Sequence, residues 1–130
     1  MRTIKKIFLV EDDGTYAGFI KRSLENNGNY NVAVFETAES CLSELEKNNL
    51  PSVLVIDYYL PGLNGIELYS RIKNQYGFLP VIMLSSNTDP NLVLDMVKKG
   101  IRHYVIKNEN VIASLLALLE ENEDLFIDLN

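Results

Sequence analysis

The sequence predicts an α/β fold in which a doubly wound, five-stranded parallel sheet is flanked by five helices. Short apolar runs alternate with segments whose apolar residues recur at helical spacing, and the alternation repeats five times along 130 residues. The strand runs carry almost no charge, which is typical of parallel strands that helices cover on both faces. Crossovers between parallel strands are right-handed, so the five helices are expected on both sides of one sheet.

The first two strand and helix pairs occupy the N-terminal third of the chain. The run KIFLV at 6–10 predicts the first strand, and apolar residues at helical spacing over 16–24 predict a helix that stops at Gly28. The alternating run YNVAVF at 30–35 predicts the second strand. Thr37 then caps a second helix, because its hydroxyl can accept a hydrogen bond from a first-turn N–H.

The third strand ends on a charged residue. Residues 53–56 read VLVI and Asp57 follows. A carboxylate is costly to desolvate, so Asp57 is expected at the edge of the sheet rather than inside it. After a Pro-Gly turn, Asn64 and Glu67 are spaced as in a capping box, which predicts the start of a third helix.

The last two pairs repeat the pattern. The run VIML at 81–84 predicts the fourth strand, and Asp89 caps a fourth helix in which Val93 and Val97 are expected to face inward. The run HYVI at 103–106 predicts the fifth strand.

The fifth helix, expected over residues 111–120, has a wider apolar arc than one buried stripe needs. Either the whole arc packs on the sheet, or the excess forms a homodimer face. We expect a single domain over residues 1–122, followed at 123–130 by a C-terminal tail that is frayed, extends the helix or docks on a partner.

Composition excludes several classes of protein. The net charge of −6 and the pI near 4.7 disfavour a nucleic-acid-binding surface, and the N-terminal apolar run IFLV is too short for a signal peptide or a membrane span. Cys41 is the only cysteine and His103 the only histidine, so a disulfide framework and a His- or Cys-based metal site are excluded. A reducing, cytoplasmic location is expected.

Polar residues close most of the predicted strands, and the carboxyl ends of parallel strands meet at one edge of a doubly wound sheet. These residues are Glu11, Asp12 and Asp13 after the first strand, Asp57 after the third, Ser85 and Ser86 after the fourth, and Lys107 after the fifth. We therefore expect a single cluster of acids, hydroxyls and one amine.

The chemistry of this cluster favours magnesium and phosphoryl groups. Two carboxylates about 4 Å apart repel by about 4 kcal/mol at an effective dielectric of about 20, and a divalent cation offsets that repulsion. An all-oxygen site selects Mg²⁺. Ser85 and Lys107 could contact the oxygens of a phosphoryl group for which Asp57 is the acceptor.

Four short motifs, FLVEDD, VIDYYLPGLNG, VIMLSS and YVIK, resemble in order and spacing the motifs of the receiver domain of two-component response regulators. The resemblance covers essentially the whole chain and implies the flavodoxin-like strand order 2-1-3-4-5. It implies a regulatory phospho-acceptor rather than an enzyme acting on other molecules. The implied phosphodonor is a sensor histidine kinase or a histidine phosphotransfer protein.

The resemblance also implies a role for each site residue. The residues are the acidic pair Glu11 and Asp12, the phosphorylated Asp57, the backbone carbonyl of Tyr59, the switch hydroxyl of Ser85, the aromatic switch residue Tyr104 and the lysine Lys107. Asp12 would bind Mg²⁺ directly and Glu11 through water, while Asp13 would be a loop acid. Phosphorylation would change the face formed by the fourth helix, fifth strand and fifth helix, and thereby control a downstream protein.

Three positions depart from the usual pattern of that family. Ser86 replaces the more common alanine and is still small enough to leave access to the site. Asn108 stands where proline usually follows the lysine through a cis peptide, so a trans Lys107–Asn108 bond is expected. Tyr59 places an aromatic ring where it could shield an acyl phosphate from water, which predicts slow self-dephosphorylation.

Two other functions stay open from the sequence. A phosphatase of haloacid-dehalogenase type also uses an aspartate at a strand end, but it needs a second aspartate two residues on, where this chain has Tyr59. A pseudo-receiver would keep the fold as an interaction module without phosphorylation. The set of acids, hydroxyl and lysine disfavours it, while Asn108 leaves it open.

Overall fold

The computed structural model describes residues 4–121. Its strands are β1 (Lys5–Val10), β2 (Tyr30–Phe35), β3 (Val53–Asp57), β4 (Val81–Ser85) and β5 (His103–Ile106). All neighbouring strands are parallel and their order is β2-β1-β3-β4-β5. This confirms the predicted fold class and strand order, and each strand boundary agrees with the sequence prediction to within one residue.

Within the described residues, five helices connect and follow these strands. They are α1 (Gly14–Asn27), α2 (Ala38–Glu46), α3 (Gly65–Gln75), α4 (Pro90–Lys98) and α5 (Val111–Glu121). Short polar side chains cap four of them by accepting a hydrogen bond from a first-turn N–H; the caps are Asp13, Thr37, Asn64 and Asp89. Asp13, expected only as a loop acid, is therefore the N-cap of α1 and accepts from Tyr16 N at 3.1 Å.

The helices divide the core into two apolar layers. One layer lies between the sheet and α1 and α5, and the other between the sheet and α2, α3 and α4. The central strand β3 is buried along its whole length, which explains its continuous apolar run. Within residues 4–121, no helix is long and apolar enough to cross a lipid bilayer.

The expectation that Val97 of α4 faces inward is wrong. Met96 is the buried residue of this helix, at 1% exposure, whereas Val97 is 59% exposed. Helical spacing allows two apolar stripes here, Val93 with Val97 or Leu92 with Met96. The structure uses the second, because the long Met96 side chain reaches the core while Val93 is only half buried.

The wide apolar arc of α5 packs largely on the sheet. Val111, Leu115 and Leu119 are buried, and Ile112 and Leu116 are half buried against the same core layer. A homodimer through this helix stays a prediction. The proposed tail at 123–130 lies outside the described residues, so the division of the chain at residue 122 also stays a prediction.

Candidate functional site

Four of the predicted site residues, Glu11, Asp12, Asp57 and Lys107, converge at the carboxyl edge of the sheet. Backbone hydrogen bonds continue the ladder past the strand ends: Glu11 N donates to Phe35 O at 2.9 Å, and Lys107 N donates to Ser85 O at 3.0 Å. These bonds hold the first residue after β1 and the first residue after β5 in strand register. Their side chains therefore project toward Asp57, the last residue of β3.

Lys107 joins two of the acids. Its Nζ lies 2.6 Å from Glu11 Oε1 and 3.2 Å from Asp57 Oδ2. The side chains of Glu11 and Asp57 are 1% and 5% exposed, and that of Lys107 is 19% exposed. This is a nearly buried ion cluster, in which each charge depends on the others because water is largely excluded.

Burial and charge act in opposite directions on these groups. Burial raises the pKa of Glu11, since it disfavours the carboxylate, and this outweighs the hydrogen bonds donated by Lys107 and by the N–H of Asp13. Burial alone would lower the pKa of Lys107. The hydrogen bond to Glu11 and the charge of Asp57 outweigh that effect, so the pKa of Lys107 is raised and the ammonium stays charged.

Three carboxylates come close enough to share a cation. Glu11, Asp12 and Asp57 each offer an oxygen, and these oxygens lie within 4.8 Å of one another. Lys107 compensates only part of their combined charge. Asp12 is exposed and therefore open to solvent. Because the donors are all oxygens, the set fits a hard divalent ion such as Mg²⁺.

The two oxygens of Asp57 have different partners. Oδ1 accepts a hydrogen bond from Tyr59 N at 3.3 Å, while Oδ2 faces Lys107. The Tyr59 side chain is half exposed, and its hydroxyl accepts a hydrogen bond from Asn87 Nδ2 at 2.9 Å. Asn87 N in turn donates to Ser85 Oγ at 3.1 Å. A Tyr59–Asn87 bridge therefore connects the loop after Asp57 to the loop after Ser85.

Gly65 packs against the end of β3 at Asp57 and against Tyr58, the first residue of the following loop. A Cβ on Gly65 would lie 2.2 Å from the Asp57 backbone oxygen and 2.9 Å from Tyr58 Cα. We expect Gly65→Ala to destabilise the fold by about 2 kcal/mol, because backbone atoms must move to relieve the overlap. Urea unfolding measures the loss. Gly14→Ala, where a Cβ meets nothing within 4 Å, is the matched control and should leave stability nearly unchanged; equal losses in the two variants would contradict the packing argument.

Tyr104 lies apart from this cluster. It is 38% exposed on β5 and pairs with Met83, two residues before the Ile106 that pairs with Ser85. Its switch role stays a prediction, as does the role of the Tyr59 carbonyl as a metal ligand. The Lys107–Asn108 peptide is trans, in agreement with the expectation from Asn108.

Sequence reasoning missed two residues beside the site. Tyr16 was expected only in the apolar stripe of α1, yet the Lys107 ammonium lies 4.9 Å from its ring centroid and its buried hydroxyl has no hydrogen-bond partner among the described residues. Asn87 is the second of these residues, since it contacts both Tyr59 and Ser85. Its position two residues after Ser85 gives no signal in a single sequence, because the contact with Tyr59 exists only in the folded chain.

The comparisons with known proteins agree with this fold. Residues 7–119 match the response regulator receiver domain family. The chain belongs to that family. A chemotaxis protein CheY homologue of Campylobacter jejuni is 29% identical over 104 residues, which are 78% of this chain and 80% of the homologue.

A plant protein and a solved structure extend the comparison. A two-component response regulator of Arabidopsis thaliana is 32% identical over 85 residues, 64% of this chain but 14% of the plant protein. A CheY-like response regulator receiver domain protein from Methanospirillum hungatei JF-1 superposes with a TM-score of 0.85 at 25% identity, covering 98% of this chain and 100% of that one.

This receiver domain is thus similar both to a protein of nearly its own length and to a small part of a much longer one. The family is one of signalling proteins in two-component systems, which act with histidine kinases and downstream targets. Family membership favours a regulatory switch over the haloacid-dehalogenase-type phosphatase that the sequence left open.

Proposed function

We propose that this receiver domain is a phosphorylation-dependent switch in which Asp57 accepts a phosphoryl group from a phosphohistidine of a sensor kinase or phosphotransfer protein. The observation that carries the proposal is the contact of Lys107 with both Asp57 and Glu11 beside the exposed Asp12. An Asp57 oxygen forms a bond to phosphorus, the phosphorus–nitrogen bond of the donor breaks, and the imidazole leaves with its electron pair. Hydrolysis of the acyl phosphate later restores Asp57.

Each group at the site has a part in this transfer. Glu11, Asp12, Asp57 and the Tyr59 carbonyl would hold the ion. Bound there, Mg²⁺ would supply positive charge that offsets the carboxylates and the incoming phosphoryl oxygens. Lys107, already charged and held 3.2 Å from Asp57, supplies a second positive charge without reorganisation. The chain would thus promote only its own phosphorylation and dephosphorylation.

The proposed switch begins at Ser85. Its buried hydroxyl accepts the Asn87 N–H and lies at the end of the strand next to Asp57. Phosphorylation adds charge and strong acceptor oxygens beside it, so the hydroxyl gains a new partner. Movement of Ser85 would favour an inward position of Tyr104, and the face made by α4, β5 and α5 would change its affinity for a downstream protein.

A pseudo-receiver is the second candidate function. Asn108, in place of the usual proline, is the feature that favours it. A pseudo-receiver would not gain a phosphoryl group from any donor, so labelling experiments separate the two functions.

We further propose that the protein acts in the cytoplasm, where a kinase would meet it, and that its partners are proteins rather than nucleic acid or membrane.

Magnesium dependence tests the acidic cluster. We expect wild type to gain a phosphoryl group from a small acyl phosphate with Mg²⁺ and to gain none with excess EDTA, as measured by intact mass. Asp12→Asn should weaken Mg²⁺ binding by at least about tenfold. The affinity is obtained from the increase in melting temperature as Mg²⁺ is added. Asp13→Asn is the control, because asparagine caps a helix as well as aspartate does. Equal Mg²⁺ affinity in both variants would remove Asp12 from the proposed site.

The exposed ring of Tyr59 should prolong the life of the acyl phosphate. We expect Tyr59→Asn to dephosphorylate severalfold faster than wild type, because water then reaches the phosphoryl group more freely. Tyr59→Phe keeps the ring and loses only the hydroxyl that accepts from Asn87. A lifetime near that of wild type in Tyr59→Phe assigns the effect to the ring, whereas an unchanged lifetime in Tyr59→Asn contradicts shielding altogether.

A further inference from the structure

A cavity lies at the opposite end of the sheet from Asp57. It has a volume of about 360 Å³ and opens between the C-terminal end of α3 and the first residues of β4 and β5. This volume is within the range of small-molecule sites. Its inner wall is apolar and includes Ile72, Leu79 and Val81, of which Ile72 is 1% and Leu79 is 8% exposed.

The charged residues that line this cavity are all basic. Lys73, Arg102 and His103 are among its lining residues, and no carboxylate is, although the whole chain has 18 acidic and 12 basic residues. Among the described residues, neither Lys73 nor Arg102 forms an ion pair. Either neutral tautomer of His103 still offers an N–H donor. The cavity therefore presents unneutralised donors to an anion.

At the rim of this cavity, the Lys73 ammonium lies against the backbone of Lys99 and Gly100. Its Nζ lies 3.4 Å from the backbone oxygen of Lys99 and 5.9 Å from the Tyr69 ring centroid. Gly100 has φ +91, and a Cβ there would lie 2.5 Å from this Nζ. A side chain at residue 100 would displace the ammonium, so the glycine both permits the positive φ and leaves room for the cation.

We propose that this cavity binds a small aromatic carboxylate. The apolar wall and the Tyr69 ring suit a flat hydrophobic body, and a planar carboxylate matches the paired N–H donors of Arg102 while Lys73 contributes its charge. A concave site of this size favours a small molecule over a protein surface. The ligand would contact the starts of β4 and β5, the strands whose other ends carry Ser85 and Lys107.

The test uses 2-naphthoate as the probe and its neutral amide, 2-naphthamide, as the matched compound. Binding is followed by ¹H–¹⁵N chemical shifts of the full chain. We expect saturable shifts at residues around 69–82 and 100–103 with naphthoate and weaker binding of the amide. Lys73→Gln and Arg102→Gln should each weaken naphthoate binding about tenfold, as expected for loss of a charged hydrogen bond. Lys98→Gln, an exposed lysine outside the cavity, should not.

Several results would overturn the proposal. These are equal affinity for acid and amide, shifts centred elsewhere, no saturation up to the solubility of the probe, or the same weakening in Lys98→Gln as in Lys73→Gln. Asp57→Asn should bind naphthoate as wild type does, because Asp57 is at the other end of the sheet. If naphthoate does not bind to the cavity, the proposal that Asp57 is phosphorylated is therefore not affected.

Discussion

Asp57→Asn is expected to gain no mass when it is incubated with Mg²⁺ and a small acyl phosphate, under conditions in which the wild-type chain gains a phosphoryl group. The substitution is nearly isosteric, but an amide oxygen is a far weaker nucleophile toward phosphorus than a carboxylate oxygen. Asparagine can still accept the Tyr59 N–H through its own oxygen, so the loop geometry is retained. Intact mass spectrometry measures the gain directly.

The design separates loss of the acceptor from loss of the fold. The circular dichroism spectrum of Asp57→Asn should match that of wild type. Its melting temperature should be equal or higher, because one of three neighbouring negative charges is removed. Asp13→Asn is the control for a nearby acid and should be labelled normally. Persistent labelling of Asp57→Asn would place the acceptor at another residue, and absence of labelling in wild type would favour the pseudo-receiver.

Lys107→Met is expected to lower the free energy of unfolding by about 3 kcal/mol at neutral pH without Mg²⁺. Methionine has a similar length, so the change removes charge rather than volume. Without the ammonium, Glu11 and Asp57 remain nearly buried with no cation 2.6 Å and 3.2 Å away. Urea unfolding gives the loss, and Lys98→Met, at an exposed position, should change stability little.

Two further measurements identify repulsion between the acids as the cause. Adding Glu11→Gln to Lys107→Met should recover a large part of the lost stability, because one of the buried charges is then gone. Mg²⁺ should stabilise Lys107→Met more than it stabilises wild type. If the double variant is as unstable as the sum of the single variants, lost packing rather than uncompensated charge explains the effect.

The predictions from sequence succeeded where local pattern and chemistry agree. Strand boundaries were accurate because buried parallel strands are continuous apolar runs, and the caps at Thr37, Asn64 and Asp89 were found because an N-cap needs a particular side chain next to its own helix. The meeting of Glu11, Asp57 and Lys107 followed from topology, since residues that close parallel strands share one edge.

The predictions failed where several packings satisfy one pattern. The inward face of α4 could have been the Val97 or the Met96 stripe, and only the fit against the sheet selects Met96. At Lys107, by contrast, the structure agrees with the sequence: although Asn108 stands where proline is usual, the ammonium contacts both Glu11 and Asp57.

The sequence by itself determined the alternation of strands and helices and which residues close the strands, because periodicity and strand-end chemistry are local properties, and its four short motifs indicated the family by resemblance. Only the tertiary structure decided which acids Lys107 contacts, how the Tyr59–Asn87 bridge connects two loops, and that Lys73 and Arg102 flank an apolar cavity at the far edge. Those features depend on side-chain directions and distances between residues far apart in the chain, which packing of the whole sheet and its helices sets.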